Sequence, residues 1–142
     1  MKTSTRSTLS LISLAFLAGL AMASARSSCC SKLKIQFGKG FGRVGAAKAH
    51  PKVYADKTKF ELKSGKVNGK EHWVSENDKY AIWYSGKSWL VGSVANQGTT
   101  RSYFSNTDDS SCPHNFDYGW RYYYSKLGDW LDAEEGFNIN CD

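Results

Sequence analysis

The sequence predicts an all-β fold: a single compact, mostly antiparallel domain of short hairpins, held by two disulfides, after an N-terminal signal peptide. Apolar and aromatic residues alternate with polar ones in short runs, and turn dipeptides separate these runs. No segment carries a helical period of useful length. A chain of 142 residues with 41% hydrophobic residues fits one folded domain, which excludes large multidomain enzymes, disordered chains and multi-span membrane proteins.

Residues 1–25 have the layout of a secretory signal peptide, and residues 26–142 are expected to form the secreted, extracellular domain. Lys2 and Arg6 supply a positive start, residues 9–20 form an apolar stretch, and cleavage candidates among small residues end at Ala23 and Ala25. The apolar stretch is shorter than the roughly 20 residues that a spanning helix needs. A stable membrane span is therefore not expected.

Four cysteines lie in the predicted mature domain: Cys29, Cys30, Cys112 and Cys141. An even number in an exported chain predicts two disulfides. A bridge between the consecutive Cys29 and Cys30 is disfavoured, because it has to close across one peptide unit. The two other pairings stay open, and each ties the start of the domain to Cys112 and to Cys141. Zinc is the competing use, but no CxxC or HxxxH spacing accompanies Cys112 and His114, so no metal site is predicted.

The predicted strands follow one another with short turns between them. Residues 32–37 are the opening strand, and residues 58–63 form the next, because Phe60 and Leu62 alternate there with charged residues. Asn68 and Gly69 are the dipeptide best suited to a type I′ turn, which predicts a return strand at residues 71–74. Further strands are predicted at residues 80–84, 89–94, 120–124, 129–131 and 137–141, with a polar loop over residues 98–111.

The order of aromatic, turn and cysteine positions resembles a small extracellular domain that recurs in secreted and multidomain proteins of marine invertebrates. The motifs that carry the resemblance are the early cysteine pair, Val67-Asn68-Gly69-Lys70, Tyr80-x-Ile82-Trp83-Tyr84, Trp89-x-Val91-Gly92, Cys112-Pro113, Trp120-x-Tyr122, Trp130 and the final Cys141. They span residues 29–141. The resemblance implies a structural or binding module, and it supplies no catalytic residues. The basic region from residue 32 to residue 70 departs from that pattern.

Motifs that carry chemistry favour a protein that is not an enzyme and has no cofactor. Residues 40–45 match GxGxxG, but the hairpins downstream favour a basic, glycine-rich loop over a dinucleotide site. No GxSxG motif occurs, and His50, His72 and His114 are scattered along the chain. The adjacent carboxylates at residues 108–109 and 134–135 favour solvated turns over a glycosidase pair. A small secreted hydrolase is kept as an alternative.

Charge is uneven along the predicted mature chain. Residues 26–70 carry a net charge of +10, whereas residues 71–142 carry −6. One interpretation is a basic face for an anionic partner, and its candidate binding residues are Lys32, Lys34, Lys39 and Arg43. The other interpretation is that the two lobes neutralise each other within the fold, or between copies through self-association.

Aromatic residues make up 14% of the chain. Residues 80–84 and 120–124 carry rings or apolar side chains on both faces of their predicted strands. Because a single sheet fully buries only one face, we expect some rings to stay exposed, where they can stack on sugars or anchor a protein. The candidate binding residues of this kind are Trp83, Trp89, Trp120 and Tyr122.

These features predict a secreted, non-enzymatic binding or extracellular-matrix protein. Its expected partner is an extracellular glycan, a mineral, another anionic matrix component or a protein, and nucleic acid is not expected. The alternative is a host-defence or toxin-like effector that acts on anionic membranes through the basic, glycine-rich residues 37–48. The apolar residues of that segment do not form an amphipathic helix, which weakens this alternative.

Overall fold

The computed structural model describes residues 29–38, 49–56, 59–116, 118–133 and 137–142. The predicted signal peptide, the GxGxxG segment and the candidate residues Lys39 and Arg43 lie outside these ranges. The described residues form one antiparallel sheet of nine strands in the order β8-β7-β6-β5-β4-β3-β2-β1-β9. The all-β, antiparallel fold predicted from the sequence is therefore confirmed.

Most of the strands are short and follow one another as hairpins. Their bounds are β1 (Lys32–Phe37), β2 (Lys59–Val67), β3 (Lys70–Ser75), β4 (Tyr80–Tyr84), β5 (Trp89–Ser93), β6 (Phe104–Asn106), β7 (Arg121–Tyr124), β8 (Asp129–Asp132) and β9 (Phe137–Cys141). A helix, α1 (Pro51–Asp56), precedes β2, and a 3₁₀ turn (Val94–Asn96) follows β5.

The turn between β2 and β3 has the geometry that its sequence demands. Asn68 and Gly69 both have positive φ, at 50° and 83°, as a type I′ turn requires. Val67 pairs with Lys70 across this turn. Local chemistry therefore sets this hairpin and the strand pairing that begins there.

Two elements were not predicted. The expectation of a loop over residues 98–111 is wrong in part, since this segment contains the three-residue β6, whose Phe104 pairs with both Val91 and Tyr122. The helix α1 has only six residues, too short to show an amphipathic period and too short to be stable alone. Its buried Val53 and the hydrogen bond from Tyr80 Oη to Asp56 Oδ2, 2.6 Å long, hold it on the sheet.

The sheet curls so that strands far apart in its order pack face to face. β8 and β9 are its two outermost strands, although they are consecutive in the sequence. The ring of Phe137 in β9 stacks on that of Phe104 in β6, with centroids 4.0 Å apart and planes at 11°. Trp120 packs edge-on against Phe137 at 5.2 Å. These rings lie on the concave side of the sheet and pack β9 against β6 and the start of β7.

Both faces of the central strands are buried. The concave side holds the main core, which includes Trp73, Ile82 and Trp89. On the other face, a second cluster forms around Trp83 and Leu90. Trp83 Nε1 donates a 2.9 Å hydrogen bond to the backbone oxygen of Thr99, so the segment after β5 covers this face. All five side chains of β4 are consequently buried.

Two disulfides are present, as predicted, and the structure selects between the two open pairings. Cys29 is bonded to Cys112, and Cys30 is bonded to Cys141, with sequence separations of 83 and 111 residues. The cysteine pair before β1 is thus bonded both to the long loop before β7 and to the end of β9. No free cysteine occurs among the described residues.

Candidate functional site

A cavity of about 560 Å³ opens where the residues before α1, the segment leading into β6 and the β7–β8 hairpin meet. We call it the aromatic pocket and define it by His50, Arg101, Tyr103, Tyr123, Ser125 and Trp130, with Asn96 and Thr100 at its side. Its volume lies within the range of about 300–1,000 Å³ that is usual for small-molecule sites. The pocket is therefore a candidate ligand site.

Partly exposed rings form one wall of the pocket. Tyr123 and Trp130 are opposite each other in the β7–β8 pair, and their ring centroids are 5.6 Å apart at 60°. Tyr122, one residue earlier, is buried, because successive side chains of a strand point to opposite faces. The same alternation that buries Tyr122 therefore presents Tyr123 to the pocket.

His50 joins this wall to the rest of the pocket. Its Nε2 lies 2.7 Å from the backbone oxygen of Tyr123, and its ring lies 5.0 Å from that of Tyr103. A carbonyl oxygen only accepts hydrogen bonds, so Nε2 carries the proton and the neutral ring keeps Nδ1 as an acceptor. Burial lowers the pKa of His50, and the bond to Tyr123 opposes this effect in part. The imidazole is therefore neutral at pH 7.

Polar groups complete the lining. Arg101 is exposed, and neither ion pair of the described residues includes it. The hydroxyl of Ser102, which also lines the pocket, is buried without a hydrogen-bond partner. None of the described lining residues is a carboxylate. A guanidinium without a carboxylate beside it favours an anionic or strongly polar ligand.

The four aromatic residues expected to bind a ligand lie in the core instead. Their exposed fractions are 0% for Trp83 and Trp89, 3% for Trp120 and 7% for Tyr122. Trp89 Nε1 donates to the backbone oxygen of Ser110 at 2.9 Å, as Trp83 does to Thr99. Rings so enclosed offer no face to an external ligand. Among the rings that line the aromatic pocket, Tyr103, Tyr123 and Trp130 are partly exposed. The strands predicted on either side of Gly128 contained the last two, but the sequence did not single them out.

The lysines of the N-terminal region are exposed, but carboxylates are interleaved with them. Lys32 and Lys34 lie on β1, opposite Glu61 and Lys59 of β2. Lys59 Nζ is 3.1 Å from Asp142 Oδ2. The acidic C-terminal end thus neutralises part of the basic N-terminal region within one chain, which favours the second of the two interpretations of the uneven charge for these residues.

No family model, curated protein or solved structure matches the chain. The resemblance to an extracellular domain of marine invertebrates therefore stays a prediction. No helix of the described residues is long and apolar enough to cross a membrane. What the protein binds has to be argued from the geometry of its own residues.

Proposed function

We propose that the protein is a secreted, non-enzymatic binding protein that takes an acidic saccharide in the aromatic pocket. The observation that carries the proposal is the partly exposed pair of Tyr123 and Trp130, 5.6 Å apart, in the same cavity as Arg101. The disulfides Cys29–Cys112 and Cys30–Cys141 support export, because such bonds persist in oxidising compartments.

The aromatic wall suits a sugar ring. A pyranose has a face of C–H groups that packs on an aromatic ring, and it has hydroxyls around its rim that need hydrogen-bond partners. Tyr123 and Trp130 supply the rings, while the side chains of Asn96 and Thr100 supply donors and acceptors. Rings held by cross-strand pairing on two hydrogen-bonded strands are rigid, so little conformational freedom is lost when a ligand binds.

The charge of the pocket selects among sugars. Arg101 is a cation without an ion-pair partner among the described residues, and a guanidinium binds carboxylate or sulfate groups through two parallel hydrogen bonds. None of the described lining residues is a carboxylate that would repel an anionic group. A uronate or a sulfated sugar therefore suits the pocket better than a neutral one.

The proposal is tested by measuring the binding of neutral, uronate and sulfated oligosaccharides to the wild-type protein, first on a glycan array and then by calorimetry. We expect Trp130→Ala and Arg101→Ala each to weaken binding about tenfold or more, since few central residues dominate the affinity of a site. Leu127→Ala is the matched control, because Leu127 lies in the same β7–β8 turn, is 66% exposed and does not line the pocket.

Two results would overturn the proposal. One is the absence of binding to every saccharide class at physiological salt. The other is binding that Trp130→Ala and Leu127→Ala affect equally, because the ligand would then contact a different surface. If the protein prefers neutral to acidic sugars and Trp130→Ala still weakens binding, only the proposed role of Arg101 is contradicted.

A further inference from the structure

One side chain gives the aromatic pocket a charge that depends on pH. Of the described residues that line the pocket, the ionisable ones are His50, Arg101, Tyr103 and Tyr123. A guanidinium is charged and a phenol is neutral throughout the range from about pH 5 to about pH 8, whereas an imidazole titrates within it. A change in the charge of the pocket over this range therefore depends on His50.

The imidazole of His50 is fixed so that one nitrogen is left to take up a proton. Nε2 lies 2.7 Å from the backbone oxygen of Tyr123 and donates to it. The rings of Tyr103 and Phe104 contact the imidazole at centroid distances of 5.0 and 5.4 Å. Among the described residues, the bond to Tyr123 is the one hydrogen bond of this side chain. A second proton on the ring therefore enters at Nδ1, and the bond of Nε2 is kept.

No carboxylate of the described lining stabilises a charged imidazole. The segment that leads into β6 contributes the cation Arg101, and β7 and β8 contribute no charged side chain. The helix α1, which follows His50, carries Lys52 and Asp56, but neither lines the pocket, and Asp56 accepts a hydrogen bond from β4. Burial lowers the pKa of His50 in these surroundings. In the free protein the ring is therefore neutral at pH 7.

We infer that His50 becomes a second cation of the pocket when an acidic saccharide binds, so that the protein takes up a proton together with the ligand and prefers acidic to neutral saccharides more strongly at mildly acidic pH. This inference rests on the proposed function. The proton comes from the solvent and is held at Nδ1. The sulfate or carboxylate of the ligand supplies the negative charge that the lining lacks, and opposite charges attract strongly in a partly buried site.

Thermodynamic linkage gives the direction and size of the effect. A bound anion raises the pKa of His50 above its value in the free protein, so between these two pKa values the complex holds more protons than the free protein does. Affinity therefore rises as the pH falls through the pKa of the complex, and it levels off below the pKa of the free protein. An opposite charge at about 4–6 Å changes a pKa by about 1 to 3, and a change of about 1 alters the affinity about tenfold.

The test is calorimetry with a sulfated oligosaccharide at about pH 5, 6, 7 and 8. A sulfate ester stays ionised throughout this range, so any pH dependence belongs to the protein. We expect binding to be about five- to tenfold tighter at the lowest pH than at the highest. Titrations in two buffers that differ in ionisation enthalpy measure the protons exchanged, and we expect net uptake of up to about one proton near pH 6. A neutral oligosaccharide of the same length should show no gain in affinity on acidification.

The variant that tests the residue is His50→Gln, which keeps an N–H for the backbone oxygen of Tyr123 but takes up no proton. It should bind the sulfated ligand within about twofold of the wild type at about pH 8 and lose the gain at about pH 5. His114→Gln is the matched control. His114 is also half-buried, burial lowers its pKa too, and it does not line the pocket, so this variant should keep the gain.

Two results would overturn the inference and leave the proposed function intact. One is an affinity of the wild type for the sulfated ligand that stays constant or weakens on acidification, with circular dichroism showing a folded protein at every pH. The other is a His50→Gln variant that keeps the full gain. If no saccharide of any class binds at any pH, the proposed function itself is contradicted, and the inference is overturned with it.

Discussion

The Nε2 atom of His50 lies 2.7 Å from the backbone oxygen of Tyr123, which joins the residue before α1 to the middle of β7. This hydrogen bond spans 73 positions of the sequence and connects two walls of the aromatic pocket. Burial makes a charged imidazole unfavourable there, so the stability of the protein depends on pH.

We predict that stability falls on acidification through the titration of His50. Burial lowers the pKa of His50 below the ordinary histidine value of 6.5, so between these two pKa values the unfolded chain binds more protons than the folded one. Stability therefore decreases as the pH falls from about 6.5 to the folded pKa, and the loss is complete below that. His50→Gln, which keeps a donor for Tyr123, should reduce the difference in urea midpoint between about pH 7.5 and about pH 5.

His114 contributes in the same direction, because burial lowers its pKa as well. His50→Gln should therefore reduce the pH dependence without abolishing it, and the combination with His114→Gln should reduce it further. An unchanged pH dependence in His50→Gln would contradict the prediction.

We predict that Gly92→Ala destabilises the protein by about 1–3 kcal/mol through overpacking. A Cβ at Gly92 would lie 2.9 Å from Trp83 Cη2 and 3.1 Å from Ser102 Cα. The tip of a fully buried indole and a backbone atom both have little room to move. Urea unfolding measures the effect, and Lys87→Ala at an exposed turn position is the control. Equal urea midpoints for Gly92→Ala and the wild type would refute the close packing around Gly92.

The two disulfides are predicted to stabilise the fold by nearly the same amount. Cys29→Ser with Cys112→Ser, and separately Cys30→Ser with Cys141→Ser, should each cost about 2–5 kcal/mol. The sequence separations of 83 and 111 residues differ too little for chain entropy to separate the bonds by more than about 0.5 kcal/mol. Denaturant unfolding of both double variants checks this, and a variant as stable as the wild type would contradict it.

Lys70 is predicted to stabilise the packing of the loop that leads to Cys112. Its ammonium lies 4.0 Å from the ring centroid of Tyr84, and it donates to the backbone oxygens of Asp109 and Ser110. Lys70→Met should cost about 1–2 kcal/mol, because a cation–π contact and two charge-assisted hydrogen bonds are lost. Lys66→Met, at an exposed position of β2, should have little effect on the urea midpoint. Equal midpoints for the two variants would show that the contacts of Lys70 are not stabilising.

The predictions from the sequence succeeded where local chemistry decides the structure. Asn68 and Gly69 adopt positive φ because few other residues do so without strain. The segment around Phe104 was missed because a three-residue strand shows no alternation, and its pairing with Val91 and Tyr122 depends on distant residues.

The candidate site likewise depends in part on local sequence pattern and in part on contacts between distant residues. Strand alternation indicates that Tyr122 and Tyr123 point to opposite faces, but it does not indicate which face is covered. Trp83 is buried because the backbone near Thr99 lies over it, and Tyr123 stays accessible because His50 and Arg101 leave a cavity beside it. Such coverage depends on segments separated by tens of residues.

The sequence by itself determined the all-β class, the hairpin at Asn68 and Gly69, and the number of disulfides, since turn chemistry, alternation and cysteine count are local or compositional properties. Only the tertiary structure decided that Cys29 pairs with Cys112 and Cys30 with Cys141, and which rings are exposed. The physical reason is that burial and proximity depend on contacts between distant parts of the chain: β9 pairs with β1, and the curl of the sheet packs Phe137 on Phe104.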